Sequence, residues 1–298
     1  MLLIAFLLLS FVMASSRASD SSSLAIIYDQ KALKPQVKTI YADIVMGIRH
    51  GFGDNERVEE VTDGSLQDLP AQVAVVLGNY VVREALFTDL PFPIVVGAVS
   101  WTTNAVHGVH ITADPSLVFE SLVALVPTVS NVFMILDANS RLLNIPDLVA
   151  AGKQYGIKVI VQQASDIKDA AGIYSRLSTQ LQDKDTLWIP PGDRFVNKAL
   201  LSTLLLRSWR SGFAVISSNP SHVRKGALFS VSPDYFLMGT RLGELAREVS
   251  RKPFLPVEMR PLRDVKLHIN QRMANHMGIK VPDIEGQQSG KSIQIQVQ

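Results

Sequence analysis

The chain contains no cysteine. That absence excludes a disulfide framework, thiolate catalysis, a thiolate metal centre and anchoring through a lipidated cysteine. Runs of five or six like charges are also missing, and 29 Lys and Arg nearly balance 27 Asp and Glu, for a formal charge of +2. So even a balance offers no track for a phosphate backbone, and nucleic acid is not an expected partner. No GxGxxG follows the first apolar run, and GxxxxGK[ST], GxSxG and HExxH do not occur. Their absence argues against the commonest dinucleotide, nucleotide, serine-hydrolase and zinc-protease chemistries. The only close histidines, His107 and His110, fall on a predicted strand, where a three-residue separation turns them to opposite faces. The expectation is a protein that is not an enzyme and needs no metal or cofactor.

What is present is apolar. Hydrophobic residues make up 47% of 298 positions, enough to fill two modest cores or one large one. Met1 to Met13 is an almost unbroken apolar run, and small and polar residues follow from Ala14 to Ser23. The run is shorter than the roughly 20 residues of a membrane span, and Ser16-Arg17-Ala18 supplies a small-x-small cleavage site. Residues 1–18 therefore read as an export signal. No Lys or Arg precedes the run, which departs from the usual pattern and keeps an uncleaved membrane anchor as the alternative.

Beyond residue 23, short β-branched runs alternate with helical patterns. Strands are predicted at Leu24 to Tyr28, Val58 to Val61, Val73 to Leu77, Ile94 to Gly97 and Gly108 to Ile111. A second series follows at Val132 to Leu136, Ile157 to Val161, Thr186 to Ile189 and Phe213 to Ile216, with Val265, Leu267 and Ile269 alternating as a late strand. Intervening helices run from Lys34 to Arg49, Val81 to Thr88, Asp114 onward, Ile145 to Tyr155, Asp169 to Gln182, Phe195 to Ser211 and Asp234 to Arg251, with a short one from Gln271 to His276. Two βα series of this kind suggest two similar lobes with parallel sheets.

Four segments carry a family resemblance: GVHITADPSLVFESLVALVPTVSNVFMILD from Gly108 to Asp137, DTLWIPPGD from Asp185 to Asp193, KGALFSVSPDYFLMGTRLGELA from Lys225 to Ala246, and INQRMANHMGIKVP from Ile269 to Pro282. In this order and spacing they resemble the substrate-binding proteins of ABC transporters, including members that bind aromatic amino acids. The resemblance implies a two-lobed α/β fold of the type I periplasmic-binding class, each lobe a parallel sheet flanked by helices. It further implies a small-molecule ligand between the lobes, a permease and ATPase in the inner membrane as partners, a periplasmic or cell-surface location and a monomeric state. From the family topology the first lobe is expected at 24–106 plus 222–256, the second at 107–221 plus 257–285, and a mobile tail at 286–298, where Ile293, Ile295 and Val297 can still occupy a sheet edge. The first lobe departs from the pattern. Only Thr62 to Gln72 separates two apolar runs, too little for an ordinary helical crossover, and Gly78-Asn79-Tyr80 replaces a small hydroxyl-rich loop. A sensory or accessory protein signalling to a membrane receptor is the alternative function.

In open α/β sheets ligands gather beyond the carboxyl ends of the strands. Those ends nominate Gly78, Asn79, Ser100 and Trp101 in the first lobe, and Asp137, Asn139, Ser140, Gly192, Asp193, Ser218 and Asn219 in the second. Asp234 joins them, since Asp234 and Tyr235 match the acidic-aromatic pair after the last family strand. Asn139, Ser140 and Asn219 read equally as caps and turn formers, Trp188 as core, and Trp101 opposite Asp193 as an aromatic-plus-carboxylate pair for an amine ligand. The apolar leader predicts an exported chain that begins near Ser19. The mass of protein from the periplasmic fraction checks this, and a soluble cytoplasmic protein with Met1 intact contradicts it.

Overall fold

β1 (Ser23–Ile27) is buried from Leu24 onward, which suits a strand covered on both faces. The computed structural model describes residues 23–66, 69–101, 105–252, 254–281 and 292–297. The export signal expected at 1–18 lies outside the described residues. After β1 come α1 (Pro35–Phe52), β2 (Arg57–Val61), β3 (Val73–Leu77), α2 (Asn79–Phe87), β4 (Ile94–Gly97) and β5 (His107–Ala113). The chain continues through α3 (Pro115–Leu125), β6 (Asn131–Asp137), α4 (Ile145–Gln154), β7 (Lys158–Ala164), α5 (Ile167–Gln180), β8 (Asp185–Ile189) and α6 (Lys198–Ser211). It ends with β9 (Ala214–Ser217), α7 (Pro220–Val223), β10 (Phe229–Pro233), α8 (Tyr235–Arg251), β11 (Met259–Leu262), β12 (Asp264–Ile269), α9 (Gln271–His276) and β13 (Ser292–Val297).

Two sheets result. The first has the order β11-β5-β4-β3-β1-β2 and is parallel throughout. The second has the order β13-β12-β10-β9-β8-β6-β7 and is parallel except where β12 runs against β10. Helices cover both faces of each. On the first sheet α1 and α8 bury Ile44, Ile48, Phe52, Met238 and Leu242 on one side, and α2 buries Val81, Val82 and Ala85 on the other. On the second, α3 and α4 pack with Trp188 and Phe229, while α5 and α6 pack with Ile135 and Leu187. This is the two-lobed architecture expected.

The points where the chain changes lobes lie later than expected. β5 pairs with β4 at Val95↔His107 and with β11 at Met259↔Gly108, so the chain stays in the first lobe to Ala113 and not to residue 106. β10 pairs with β9 and β12, so 220–233 belongs to the second lobe. β11 returns to the first sheet, and the last change comes at Arg263. Apolar alternation marks a strand but not the sheet it joins, which is why the boundaries moved. In the tail, Ile293, Ile295 and Val297 take the sheet-edge position open to them: β13 adds to the edge of β12 in a six-residue parallel register from Asp264↔Ser292 to Ile269↔Val297.

Each change of lobe carries a paired carboxylate. Asp114 accepts from Ser116 N at 2.9 Å and from Arg263 Nη1 at 2.8 Å, while its own N–H reaches Leu262 O. Asp234 caps α8 through Leu237 N at 3.1 Å and meets Lys266 Nζ at 3.2 Å. Asp264 receives two bonds from Arg241, at 2.9 and 3.2 Å. The carboxylates of Asp234 and Asp264 are only 3% and 4% exposed, so these ions depend on their partners.

α8 is held to the first lobe by a glycine contact. Cβ atoms at Gly47 and Gly51 would stand 2.0 Å from Phe236 O and Thr240 O, and at Gly239 and Gly243 about as close to Ile44 O and Ile48 O, at 2.1 and 2.2 Å. Only the absence of side chains lets the two backbones touch. Where a crossover helix would cover β1 and β2, the described residues of the connection, 62–66 and 69–72, hold no helix, and Leu66 is buried in one cluster with Ala25 and Ile27. β2 accordingly exposes Arg57 and Glu59, an ion pair at 3.9 Å, in place of apolar residues. Gly243→Ala is expected to lower stability by about 1–3 kcal/mol, the range for forcing volume into a packed contact. Gly172→Ala on α5, where the nearest atom is Arg176 Nη1 at 3.6 Å, should instead be neutral or stabilising. Urea midpoints of the two variants check the contrast, and equal midpoints would contradict it.

Candidate functional site

The carboxyl ends of the parallel strands in both sheets open onto one cavity of about 600 Å³. Asn79, Ala98, Ser100 and the β5 residues Ile111 to Ala113 form the first-lobe wall; Leu142, Trp188, Asp193, Ser218, Asn219 and His222 form much of the second. Pro233 and Tyr235, where the chain returns to the first lobe, close the back.

On the first-lobe side the wall is polar and internally braced. Asn79 Nδ2 donates to Ser100 Oγ at 2.8 Å, and Ser100 N donates to Asn79 Oδ1 at 2.8 Å. Among the described residues neither the second amide hydrogen of Asn79 nor the hydroxyl hydrogen of Ser100 has an acceptor, and both groups can donate to a ligand. Ala98 holds φ at 55°, a left-handed conformation uncommon for alanine and typical of constrained sites.

The opposing wall combines a buried aromatic ring with one carboxylate. Trp188 is 2% exposed, stands edge-on to Phe119 at 5.7 Å, and donates its indole N–H to Ser218 Oγ at 3.1 Å. Beside it, Gly192 adopts φ 68°, a left-handed conformation that favours glycine, with Leu142 Cδ1 2.4 Å from where a Cβ would stand. The turn then presents Asp193, which accepts from Phe195 N at 2.9 Å and Val196 N at 3.3 Å. Burial raises the Asp193 pKa, and the two N–H bonds oppose that rise. His222 Nδ1 lies 2.9 Å from Ser217 Oγ. Burial, with Lys225 adding to it, lowers the His222 pKa. Among the described lining residues Asp193 is the sole carboxylate, and no Lys or Arg is present.

Of the residues nominated from sequence, Asn79, Ser100, Asp193, Ser218 and Asn219 meet at this cavity, as does Gly192. The others lie elsewhere. Gly78 is the turn before α2, with φ 92°, and its N–H donates to Gly97 O. Trp101 packs against the first-lobe cluster that contains Val81 and Phe92 and is not among the residues lining the cavity, so it does not form the expected pair with Asp193 there. Asp137 is tied to Arg194, which lowers its pKa, and accepts from Asn139 N at 3.0 Å. Ser140 accepts from Leu142 N at 3.4 Å; both it and Asn139 shape the turn. Asp234 serves the lobe connection. Asn219, although on the wall, also caps α7 through Ser221 N at 2.9 Å. Trp188 and His222 were missed as site residues. Trp188 stands at the end of β8, and the strand-end rule that nominated its neighbours points to it as well.

The family model described as ABC transporter substrate binding protein matches residues 95–289. The chain belongs to that family. This substrate-binding protein is also similar in fold to a ligand-free, open substrate-binding protein with adhesive properties, CD0873 of Clostridium difficile, at a TM-score of 0.63 and 17% identity, covering 92% of this chain and 100% of that one. An ABC domain from Streptococcus pneumonia in complex with L-Trp matches at a TM-score of 0.55 and 16% identity, covering 88% and 96%. A conserved domain protein of Vibrio cholerae gives the same four values, 0.55, 16%, 88% and 96%. No curated protein matches. Among the described residues no helix is long and apolar enough to cross a membrane, and no three His, Cys, Asp or Glu converge as a metal site.

Burial lowers the pKa of His107, His110 and His268 as it does that of His222. Unfolded histidine takes up its proton near 6.5. Below that pH the unfolded chain binds more protons than the folded one, so stability present above it is lost as pH falls. Asp193 acts in the opposite sense, costing stability as pH rises above the ordinary carboxylate range. Urea midpoints should therefore drop between about pH 7 and pH 5.5, with a shallower drop in His222→Gln; a midpoint that rises on acidification would contradict this.

Proposed function

We propose that this substrate-binding protein captures a small organic molecule with an apolar or aromatic body and a protonated amine, and presents the closed form to an ABC permease and its ATPase. One observation carries the reading: a single cavity built by both lobes sets Trp188 beside Asp193, with no cation among its described lining residues. Asp193 supplies a charge-assisted acceptor for an amine. Trp188, Ile111 and Leu142 supply apolar area. An amino acid fits this class, its carboxylate falling to the amide and hydroxyl donors of Asn79, Ser100 and Asn219. The streptococcal domain in complex with L-Trp lends support from a relative of the same fold.

Ligand contacts to both lobes favour the closed arrangement by as much as they differ between closed and open. Export through the Met1 to Met13 segment, removal of that segment near Ser19, and action as a monomer belong to the same proposal. A second reading, a two-lobed sensor for a membrane receptor, draws on the short connection from Thr62 to Gln72, whose described residues hold no helix and which changes one side of the first lobe. Neighbouring permease and ATPase genes favour transport, and a neighbouring receptor gene favours sensing.

Native mass spectrometry of the purified protein after exposure to a cell extract is expected to show one retained small molecule. Asp193→Ala should weaken its retention by about 1–3 kcal/mol, the cost of losing the partner of a charged group. Asp193→Asn, which keeps an acceptor for Phe195 N, should weaken retention comparably while leaving the melting temperature unchanged or raised. Retention by both variants equal to that of the unsubstituted chain would contradict the assignment of Asp193.

A further inference from the structure

The outer flank of the second lobe carries another depression, of about 360 Å³, which shares no residue with the interlobe cavity. α6 contributes Ser202, Leu206 and Trp209, the turn between α7 and β10 contributes Arg224 and Lys225, and α9 contributes Arg272. It extends to the end of α6 that precedes β9, and so away from the strand ends that build the cavity.

Three features mark this depression as an interaction surface. Arg224, Lys225 and Arg272 are all exposed, its lining contains no carboxylate, and among the described residues none of the three cations has an ion-pair partner. In a chain of net charge +2, that is a local excess of one sign. Two large apolar side chains are left open within it, Leu206 at 50% and Trp209 at 39% exposure. Finally, the Trp209 ring is held in place. His276 stacks on it at 3.4 Å and 6°, with Nε2–H donating to Trp209 O at 2.8 Å, and the Arg272 guanidinium lies 5.6 Å from the ring centroid. An ordered, half-exposed tryptophan beside unpaired arginines has the composition of a binding hot spot.

The same geometry selects the occupant. A lipid surface is best met by protruding aromatic and basic side chains free to insert, whereas this ring is clamped and the surface is concave. We infer that the depression docks an acidic segment of a protein partner that carries a large apolar side chain. Its carboxylates pair with Arg224, Lys225 and Arg272, and its apolar group covers Leu206 and the open edge of Trp209.

The test uses the full chain labelled with nitrogen-15 and an acetylated, amidated peptide of glutamates flanking a leucine pair. The chain has three tryptophans, and Trp209→Phe identifies the Trp209 indole resonance. The peptide should shift that resonance, and the charge-reversed Lys225→Glu/Arg272→Glu chain should bind at least about tenfold more weakly. Added salt should weaken binding, and a peptide with lysine in place of glutamate should not bind. Retention of the interlobe ligand by the charge-reversed chain should be unchanged, which separates this surface from the cavity. An unshifted Trp209 resonance, or equal binding by the charge-reversed chain, would overturn the inference. So would cosedimentation with phosphatidylglycerol-containing vesicles that depends on Trp209 while the peptide is ignored.

Discussion

Asp114, Asp234 and Asp264 stand at the three places where the chain passes between the lobes, and each is bound to a cation. Each also serves backbone at its crossing: Asp114 and Asp234 cap α3 and α8, and the carbonyl of Asp264 receives the N–H of Asp234. The pivot is therefore fixed by charge-assisted bonds at partly buried sites, where losing one partner costs far more than at an open surface. Everything that makes the cavity depends on this. With the crossings held, the carboxyl ends of the two parallel sheets are set opposite each other, and polar loops from both converge on one volume.

Three crossings require that a late part of the chain be returned to the first lobe and stay there. The backbone contact between α1 and α8 at Gly47, Gly51, Gly239 and Gly243 does this without bulky side chains, and Leu242 and Leu245 extend the fastening into the first-lobe core. The lobe thus behaves as one packed body although its segments are more than a hundred residues apart in sequence. Rigid lobes on a fixed pivot suit closure by rotation, in which few contacts other than those to the ligand must change.

Much of this was legible beforehand, because buried parallel strands such as Val73–Leu77 are apolar throughout and helices such as α5 repeat their apolar residues at 3.6. The starts of α5 and α6 were less legible: Asp166 and Asn197 are the caps, each through the N–H of the third residue on, where apolar periodicity places the starts at Asp169 and Phe195. What stayed hidden was tertiary. No local pattern tells that His107–Ala113 pairs with β4 and β11, or that Phe229–Pro233 pairs with β9. For the same reason Trp101 follows a strand end yet turns onto the first-lobe core, while Trp188, in the core as its apolar run suggests, also lines the cavity. Asp234, nominated at the end of the last family strand, caps α8 through Leu237 N and pairs with Lys266, contacts that no local pattern reveals.

The cavity joins an aromatic wall, a carboxylate of raised pKa and a hydrogen-bonded Asn79–Ser100 pair across a pivot that leaves both lobes intact. A ligand is expected to bridge these groups, since residues of both lobes line the one cavity. The most direct measurement is a crystal structure with the retained small molecule bound. This account predicts simultaneous contacts to Asn79 or Ser100 on one lobe and to Trp188 and Asp193 on the other. A bound molecule that touches a single lobe would contradict it.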